Sequence, residues 1–277
     1  MDKVTAVILN YNSSKDCEKC ISYLQKQNYD NLGIIVVDNA SNDNELDEIK
    51  KVTKDSGVKL LCNEKNKGFA AGNNVGLKKA VNDGAQWCLV INPDVELRDT
   101  NYIAHMIKVI DEYDDVAMAA SSVVLPGGQS QNPQKESTFK EDAFWAGQYF
   151  RKNKDKTNWN VENQKTGYCE KVSGCCFFIK ADFLEKIGYM DENTFLYCEE
   201  AILAKQVEKE NKKVLYVCDV EASHMHENEK NSYSKVKQFV DSRNYYVKRY
   251  SGYNKLQVGV VLFANKMEKI LFRLKRY

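Results

Sequence analysis

Residues 88–97 read CLVINPDVEL, and the fold turns on how this stretch is parsed. Cys88-Leu89-Val90-Ile91 has the length and composition of a buried strand, and it ends abruptly at Asn92-Pro93-Asp94. A carboxylate placed at such a strand end is either part of a surface turn or a cation ligand. Other segments repeat the pattern. Residues 4–9 run into Asn10-Tyr11-Asn12, 34–37 into Asp38-Asn39, and 58–62 into an Asn-rich loop that contains Asn66. Ser13 or Ser14 can cap a helix after the first strand, and residues 69–81 carry helical spacing. Strands and helices alternating at this interval predict an α/β fold with a mostly parallel sheet flanked by helices. Ligands of such sheets bind beyond the carboxyl ends of the strands, so Asn10, Asp38, Asn66 and Asp94 are expected to share one site.

Farther along, residues 116–125 predict another strand, turned by Pro126-Gly127-Gly128. Residues 129–168 are long, polar and dotted with Phe144, Trp145, Tyr149, Phe150 and Trp159, as in a mobile functional loop or a partly helical lid. Strand character returns at 172–179, with a short helix at 181–187 and a longer one at 195–211. A last strand at 214–217 precedes His224-Met225-His226, and helices at 235–250 and 255–277 finish the chain.

The 277 residues carry a net charge of +1, which predicts no strong attraction to polyanions and no nucleic-acid partner. That charge is unevenly spread: residues 235–277 hold eleven Lys and Arg against two acids, +9 in all, which leaves −8 for the rest. A basic tail of this kind suits either an anionic surface, often a membrane face, or a solvated helix face. In 258–277, Val261, Leu262, Met267, Ile270, Leu271 and Leu274 interleave with Lys and Arg, compatible with an interfacial amphipathic helix over 254–277 or with packing on the core or on a second subunit of a homodimer. No charged-then-apolar leader opens the chain, no run reaches the length of a membrane span, and nine scattered cysteines fit a reducing cytosol. Cys17-x-x-Cys20 lacks a second pair at ligand spacing and falls in a predicted helix, which speaks against metal or redox use, and Cys175-Cys176 lies in an apolar run and reads as core.

Neither the dinucleotide fingerprint GxGxxG nor the P-loop is present. The stretch 66–74, NKGFAAGNN, brings small residues to a helix start, where a ligand can approach the backbone and an anion is favoured. Glu199-Glu200 follows Phe195-Leu196-Tyr197-Cys198 and precedes Ala201-Ile202-Leu203, an apolar setting for two carboxylates. A half-buried carboxylate holds its proton more tightly and suits general-base work near neutral pH. His224 and His226 point in opposite directions on an extended chain, so both cannot bind one metal. One carboxylate and one imidazole suit a divalent cation that also holds phosphate oxygens.

In their order along residues 1–226, several of these segments resemble inverting nucleotide-sugar glycosyltransferases of family 2. They are VILNYN (7–12), VVDNAS (36–41), NKGFAAGNN (66–74), LVINPD (89–94), SGCCFFI (173–179), GYMDE (188–192), FLYCEE (195–200) and His224. The set is most similar to the rhamnosyltransferase-like enzymes of bacterial surface-polysaccharide synthesis, capsule or O-antigen. The resemblance implies a GT-A fold over 1–230 and a basic helical extension over 231–277. It places Asn10 and Tyr11 at the nucleobase and Asp38 at a base N–H. Asn66, Gly68 and Asn73 fall on the loop around ribose and diphosphate. Asn92-Pro93-Asp94 takes the place of the DxD motif, its first Asp replaced by Asn92. It further implies that Asp94 and His224 ligate Mn²⁺ or Mg²⁺, and that Glu200, beside Glu199, is the catalytic base. Glu200 stands where the family usually has Asp, and Ile202 where it often carries another acid. Glu96 matches no motif and reads as surface.

The implied activity is metal-dependent inverting transfer of a sugar, rhamnose by subgroup, from a dTDP- or UDP-sugar to a glycan or lipid-linked acceptor on the inner face of the cell membrane. The alternative is a catalytically impaired sugar-nucleotide or glycan-binding protein on the same fold. A nucleotidyltransferase would need a Gly-rich, Arg- and Lys-bearing loop after the first strand, and none is there.

Overall fold

The computed structural model describes residues 1–54, 56–144, 165–225 and 232–274. Its first half is an alternation of β1 (Val4–Asn10), α1 (Ser14–Gln25), β2 (Leu32–Asp38), α2 (Asp43–Thr53), β3 (Lys59–Cys62), α3 (Phe69–Asn82) and β4 (Trp87–Ile91). These strands pair in parallel in the order β3-β2-β1-β4, with Asn10 level with Asp38, Asp38 with Cys62, and Ile8 with Ile91. The polar strand ends therefore line one edge of the sheet. Alternate residues feed opposite cores: Ile8 and Leu89 pack to one side, Val7 and Val90 to the other. Burial on both faces is why β4 is apolar without a break.

The second half is mixed. It contains β5 (Val95–Glu96), α4 (Tyr102–Ile110), β6 (Val116–Val124), α5 (Phe139–Phe144), β7 (Gly167–Cys169), β8 (Cys176–Lys180), α6 (Ala181–Ile187), α7 (Glu199–Lys209) and β9 (Lys213–His224). The sheet continues β4-β8-β6-β9-β5, with β7 on β9. β8 runs against both β4 and β6, whereas β6 and β9 are parallel. The parallel character predicted from the sequence thus resides mainly in the first four strands, and helices flank the whole.

Two further helices, α8 (Tyr233–Arg249) and α9 (Lys255–Leu274), close the chain. Tyr246, Val247 and Val261 bury against Ile202 of α7 and Ala143 of α5. Beside this cluster the Arg243 guanidinium donates to Asp142 Oδ1 at 2.8 Å and Tyr253 Oη donates to Oδ2 at 2.7 Å. Asp142 and Arg243 are both buried, so each charge depends on these bonds for its solvation.

Several elements differ from their sequence reading. The helix expected over 195–211 begins at Glu199, because Tyr197 and Cys198 sit at φ 78° and 70°, where a right-handed helix cannot run. The strand expected at 214–217 continues to His224: a register shift between Ser121 and Ser122 loops out 218–220, and pairing then resumes at Glu221. The strand expected from 172 begins at Cys176, since 172–175 turns aside toward Asn92. Neither serine caps α1 through its side chain; the Ser14 N–H instead donates to Glu45 of α2 at 2.9 Å. Glu96 is partly buried, held by Arg98 at 2.8 Å. In the long segment, α5 is helical, and Trp145, Tyr149, Phe150, Trp159 and His226 lie outside the described residues. Cys17 and Cys20 lie on the buried face of α1, where burial pushes the Cys17 thiol up to about 12.

Helix α3 lies close on β1 and β2 because glycine occupies its contact face. A Cβ on Gly76 would stand 2.5 Å from Val7 Cγ1 and 2.9 Å from Val37 Cγ2, both on stiff β-branched core side chains. Overpacking of this kind costs about 1–3 kcal/mol, against a gain of about 1 kcal/mol in helix propensity for Gly→Ala. Gly76→Ala is therefore expected to lower the melting temperature. Gly259→Ala on α9, whose Cβ would meet nothing within 4 Å, is expected to raise it. Equal shifts in thermal unfolding would contradict the packing account.

Candidate active site

The turn at the end of β4 is built from the strand outward. Asn92 N–H donates to Cys175 O at 2.8 Å, and Val95 N–H closes the turn on Asn92 O at 3.2 Å. The two residues of β5 then pair antiparallel with β9, Val95 opposite His224 and Glu96 opposite Ser223. Met225 N–H donates to Asp94 O at 2.8 Å. This pairing sets the Asp94 carboxylate 3.3 Å from His224 Nε2. Burial alone would pull the imidazole's proton affinity down. The Asp94 carboxylate and the Cys175 thiol outweigh it and push the pKa up to about 10.

On its other side the His224 ring meets Gln131: Nδ1 lies 2.7 Å from Oε1. An amide oxygen only accepts, so Nδ1 carries a hydrogen and Nε2 is the nitrogen turned to Asp94. A hydrogen bond from the far ring nitrogen to an amide oxygen is what fixes a ligating histidine, and the residues present fit a divalent cation bound in place of the Nε2 proton. Among the described residues no third His, Cys, Asp or Glu completes a cluster, so such a cation would draw its remaining ligands from substrate oxygens and water. Gln131 was missed in the sequence reading, where a Gln in a polar loop carries no signal.

The nucleobase end is more closed than the motif alone suggests. Asn10 Nδ2 donates to Asp38 Oδ1 at 2.9 Å, and Ser41 N–H to Oδ2 at 3.1 Å. Asn10 is 0% and Asp38 1% exposed, so a base reaches Asp38 only where this turn opens. Tyr11, exposed at the rim, is the accessible member of the set. Asn66 Oδ1 accepts from Asn39 Nδ2 at 3.0 Å and from Gly68 N–H at 2.9 Å, which shapes the loop before α3. Asn73 is buried, its Nδ2 tied to Phe69 O at 3.1 Å, so it supports the loop from within.

Two contacts join this loop and the Asp94 turn to the carboxylate pair. Gly68 has φ 99°, and any Cβ there would strike the Phe195 carbonyl, which itself accepts from Phe69 N–H at 2.8 Å. Gly174, one residue before the carbonyl that holds Asn92, faces Glu200: a Cβ there would be 3.7 Å from Oε2. Ser173 N–H is anchored by Asn132 Oδ1 at 2.7 Å.

Glu199 and Glu200 occupy the first two positions of α7. Glu200 is half-buried, whereas Glu199 is 6% exposed and its Oε1 has no hydrogen-bond partner among the described residues. Desolvation, then the neighbouring Glu200 charge, push the Glu199 carboxyl up to about 8, with backbone N–H groups at Glu199 and Tyr197 offsetting part of the rise. At neutral pH the pair therefore holds a proton on the inner residue. The segment before α7 is fixed from α8: Tyr245 and Tyr250 donate to Asp191 Oδ2 at 2.8 and 2.5 Å, and Ser242 donates to Leu196 O at 2.7 Å. The sequence-predicted residues thus fall into four groups: the Asn10–Asp38 turn, joined to the 66–73 loop through Asn39 and Asn66, and the Asp94–His224 pair, which like that loop is joined to the segment carrying Glu199–Glu200.

Known proteins share both the sequence and the shape. The low-salt glycan biosynthesis hexosyltransferase Agl10 of Haloferax volcanii is 21% identical over 216 residues, 76% of this chain and 63% of the relative. The dTDP-rhamnosyl transferase RfbF of Shigella flexneri is 30% identical over 97 residues, 35% of this chain and 31% of its own. The chain thus matches less than two thirds of either relative's length. Among solved structures, the mannosyltransferase PcManGT of Pyrobaculum calidifontis, in complex with GDP-Man and Mn²⁺, superposes with a TM-score of 0.62 at 13% identity, over 95% of this chain and 68% of that one. This likeness gives the GT-A fold. The profile of Glycosyl transferase family 2 matches residues 5–188, two thirds of the sequence, and the chain belongs to that family.

Proposed function

We propose that the chain transfers a sugar, with inversion, from a nucleoside-diphosphate donor to a hydroxyl of a cell-surface glycan. The observation that carries this reading is the Ser173–Cys175 turn, which holds the Asp94 turn through Asn92 on one side and faces Glu200 on the other. A diphosphate at Asp94 and an acceptor hydroxyl at Glu200 would then flank a single anomeric carbon.

Each residue has a defined part in that reaction. Tyr11 offers a ring to the base, and Asp38 accepts a base N–H where the turn closed by Asn10 and Ser41 opens. Uracil and thymine share that base edge, so a dTDP- or UDP-sugar is the favoured donor, and the partial similarity to the rhamnosyl transferase leans it toward dTDP-rhamnose. The 66–73 loop supports ribose and diphosphate from the start of α3, where backbone N–H groups favour anions. Mn²⁺ or Mg²⁺ held by Asp94 and His224 would neutralise charge on the departing diphosphate. Gln131 orients His224 for that purpose.

Glu200 removes the acceptor's hydroxyl proton as the oxygen attacks and the bond from the anomeric carbon to the diphosphate oxygen breaks. A single displacement inverts the centre and leaves no covalent intermediate. Glu199, neutral beneath it, places no second negative charge next to the base. A binding protein without turnover, the alternative reading, would keep donor affinity and show no dependence on Glu200.

With Mn²⁺ present, thymidine or uridine diphosphate compounds are expected to raise the melting temperature and guanosine ones to leave it unchanged. Glu200→Gln should keep that shift and lose about 10²–10⁴-fold in donor turnover, the range for a positioned general base. Asp94→Ala should lose the shift itself. Turnover that survives both substitutions would remove the site assignment.

A separate expectation concerns Glu199 and stability. The folded chain holds this proton up to a pH of about 8, against an ordinary carboxyl value of 4.5 in the unfolded chain. The unfolded state therefore binds fewer protons between these values, and the residue's contribution to stability falls as pH rises across that window. Glu199→Gln keeps the shape and cannot ionise, so its gain in melting temperature over wild type should grow from acidic pH to a pH of about 8. A gain that is flat with pH would show that Glu199 ionises normally.

A further inference from the structure

The inward side of α9 packs on the fold. Val261, Asn265 and Glu268 are buried, Asn265 Nδ2 donates to Asn244 Oδ1 at 2.8 Å, and Lys269 pairs with Asp241 at 3.2 Å. Its outward side is different in kind. Leu256, Val260, Phe263 and Ile270 are 79, 41, 66 and 41% exposed. They recur at intervals of 4, 3 and 7, with partly exposed Met267 between the last two, and so form one stripe along the helix. Among its described side chains the other exposed residues of α9 are Gly259 and three cations, Lys255, Lys266 and Arg273, the last with its guanidinium 4.3 Å from the Tyr233 ring centroid. These three are 11 and 7 residues apart, a spacing that aligns them along a single flank of the stripe. No acidic and no neutral polar side chain of α9 is exposed; its one acid, Glu268, points inward. A helix face meant for water carries both signs of charge and neutral polar groups, and this one carries neither.

We propose that the outward face of α9 docks on an anionic lipid surface, with the apolar stripe entering the headgroup boundary and the cationic flank meeting phosphates. Charge decides against a second copy of the chain. A two-fold contact through this face would set one cationic row near another with no acid of α9 to pair it, whereas acidic headgroups complement it. The basic excess of residues 235–277 adds to the same attraction. No helix among the described residues is long and apolar enough to cross a membrane, so the contact is peripheral.

The face is also placed for the chemistry. Phe144, at the end of α5, is 72% exposed, and α5 packs against α9. Helix α8, in contact with α9, holds Leu196 and Asp191 just before Glu199-Glu200. Docking through α9 would bring the surface to the end of the fold that carries the base, where a lipid-linked acceptor arrives; this consequence rests on the proposed transfer reaction, and the docking itself does not.

Flotation separates the possibilities. The full chain is expected to float with phosphatidylglycerol-containing vesicles and poorly with phosphatidylcholine alone. Leu256→Glu with Phe263→Glu should abolish flotation, and Lys266→Glu should weaken it about fivefold or more at low salt, the scale of one basic residue at an anionic surface. Each variant should keep its thermal shift with sugar nucleotide and Mn²⁺, which shows that it is folded and that the donor site is intact. Three results would overturn the proposal: no binding of wild type to anionic vesicles, undiminished flotation of the double variant, or sedimentation showing a wild-type dimer that these substitutions split while lipid binding persists. Loss of the nucleotide shift in wild type would count against the transfer reaction and leave the docking result standing.

Discussion

The pairing of Val95 with His224 is the contact on which the rest of the site depends. It involves only two residues of β5, yet it ties the last parallel strand of the first half to the far edge of the second. Asp94 and His224 are 130 positions apart in the chain and belong to different halves of the sheet. Without β5 the Asp94 turn would end in solvent, and His224 would cap a strand with nothing opposite. The bulge at 218–220 is part of the same device, since it lets β9 change register and still deliver His224 level with Val95. Three anchors then hold the geometry from separate directions: Cys175 through Asn92, Met225 through the Asp94 carbonyl, and Gln131 through the imidazole. A site braced in this way keeps its acid and imidazole close, as the proposed cation would require.

The carboxylate pair is arranged by a different principle, in which backbone conformation and burial divide the labour. Tyr197 and Cys198 take left-handed conformations that non-glycine residues adopt at a cost of order 1–3 kcal/mol each. Their effect is to start α7 at Glu199, so that the two carboxylates sit in the first turn, where the helix dipole favours negative charge. For Glu199 that attraction is outweighed by burial, and the residue stays neutral. Burial thus keeps a negative charge off the inner of two adjacent carboxylates. The bonds from Tyr245, Tyr250 and Ser242 to Asp191 and Leu196 hold the segment before this turn, which is how α8 takes part in a site that it does not line.

Much of the fold was legible because its signals are strong. Strands buried on both faces must be apolar throughout, and the parallel unit must end each one in a polar turn, so residues 4–9, 34–37 and 88–91 announced themselves. Asp94 was legible for the same reason. The failures also have physical causes. The 195–198 run is apolar and carries no glycine, so nothing in it marks the left-handed turn; tertiary contacts at Phe195 and Leu196 impose it. β9 was cut short because a bulge has no periodicity of its own. Gln131 was invisible because its role is a single hydrogen bond made across 93 positions of sequence. Asp38 was legible as a strand-end acid but not as one closed over by Asn10 and Ser41, since burial of a polar pair leaves no trace in composition.

The same reasoning explains why residue 202 is Ile in this chain. Position 202 lies one helical turn beyond Cys198, on the side of α7 that meets Tyr246, Val247 and Val261. A carboxylate there would be buried among apolar groups, beside an Arg243 already committed to Asp142, and would cost several kcal/mol without a partner. Once the C-terminal helices cover this face, an acid at 202 conflicts with the packing that fixes Asp191 and Leu196. The chain keeps the packing. In the first turn of α7 that leaves Glu199, buried and pushed up to about 8, and Glu200, half-buried opposite the glycine that leaves it room.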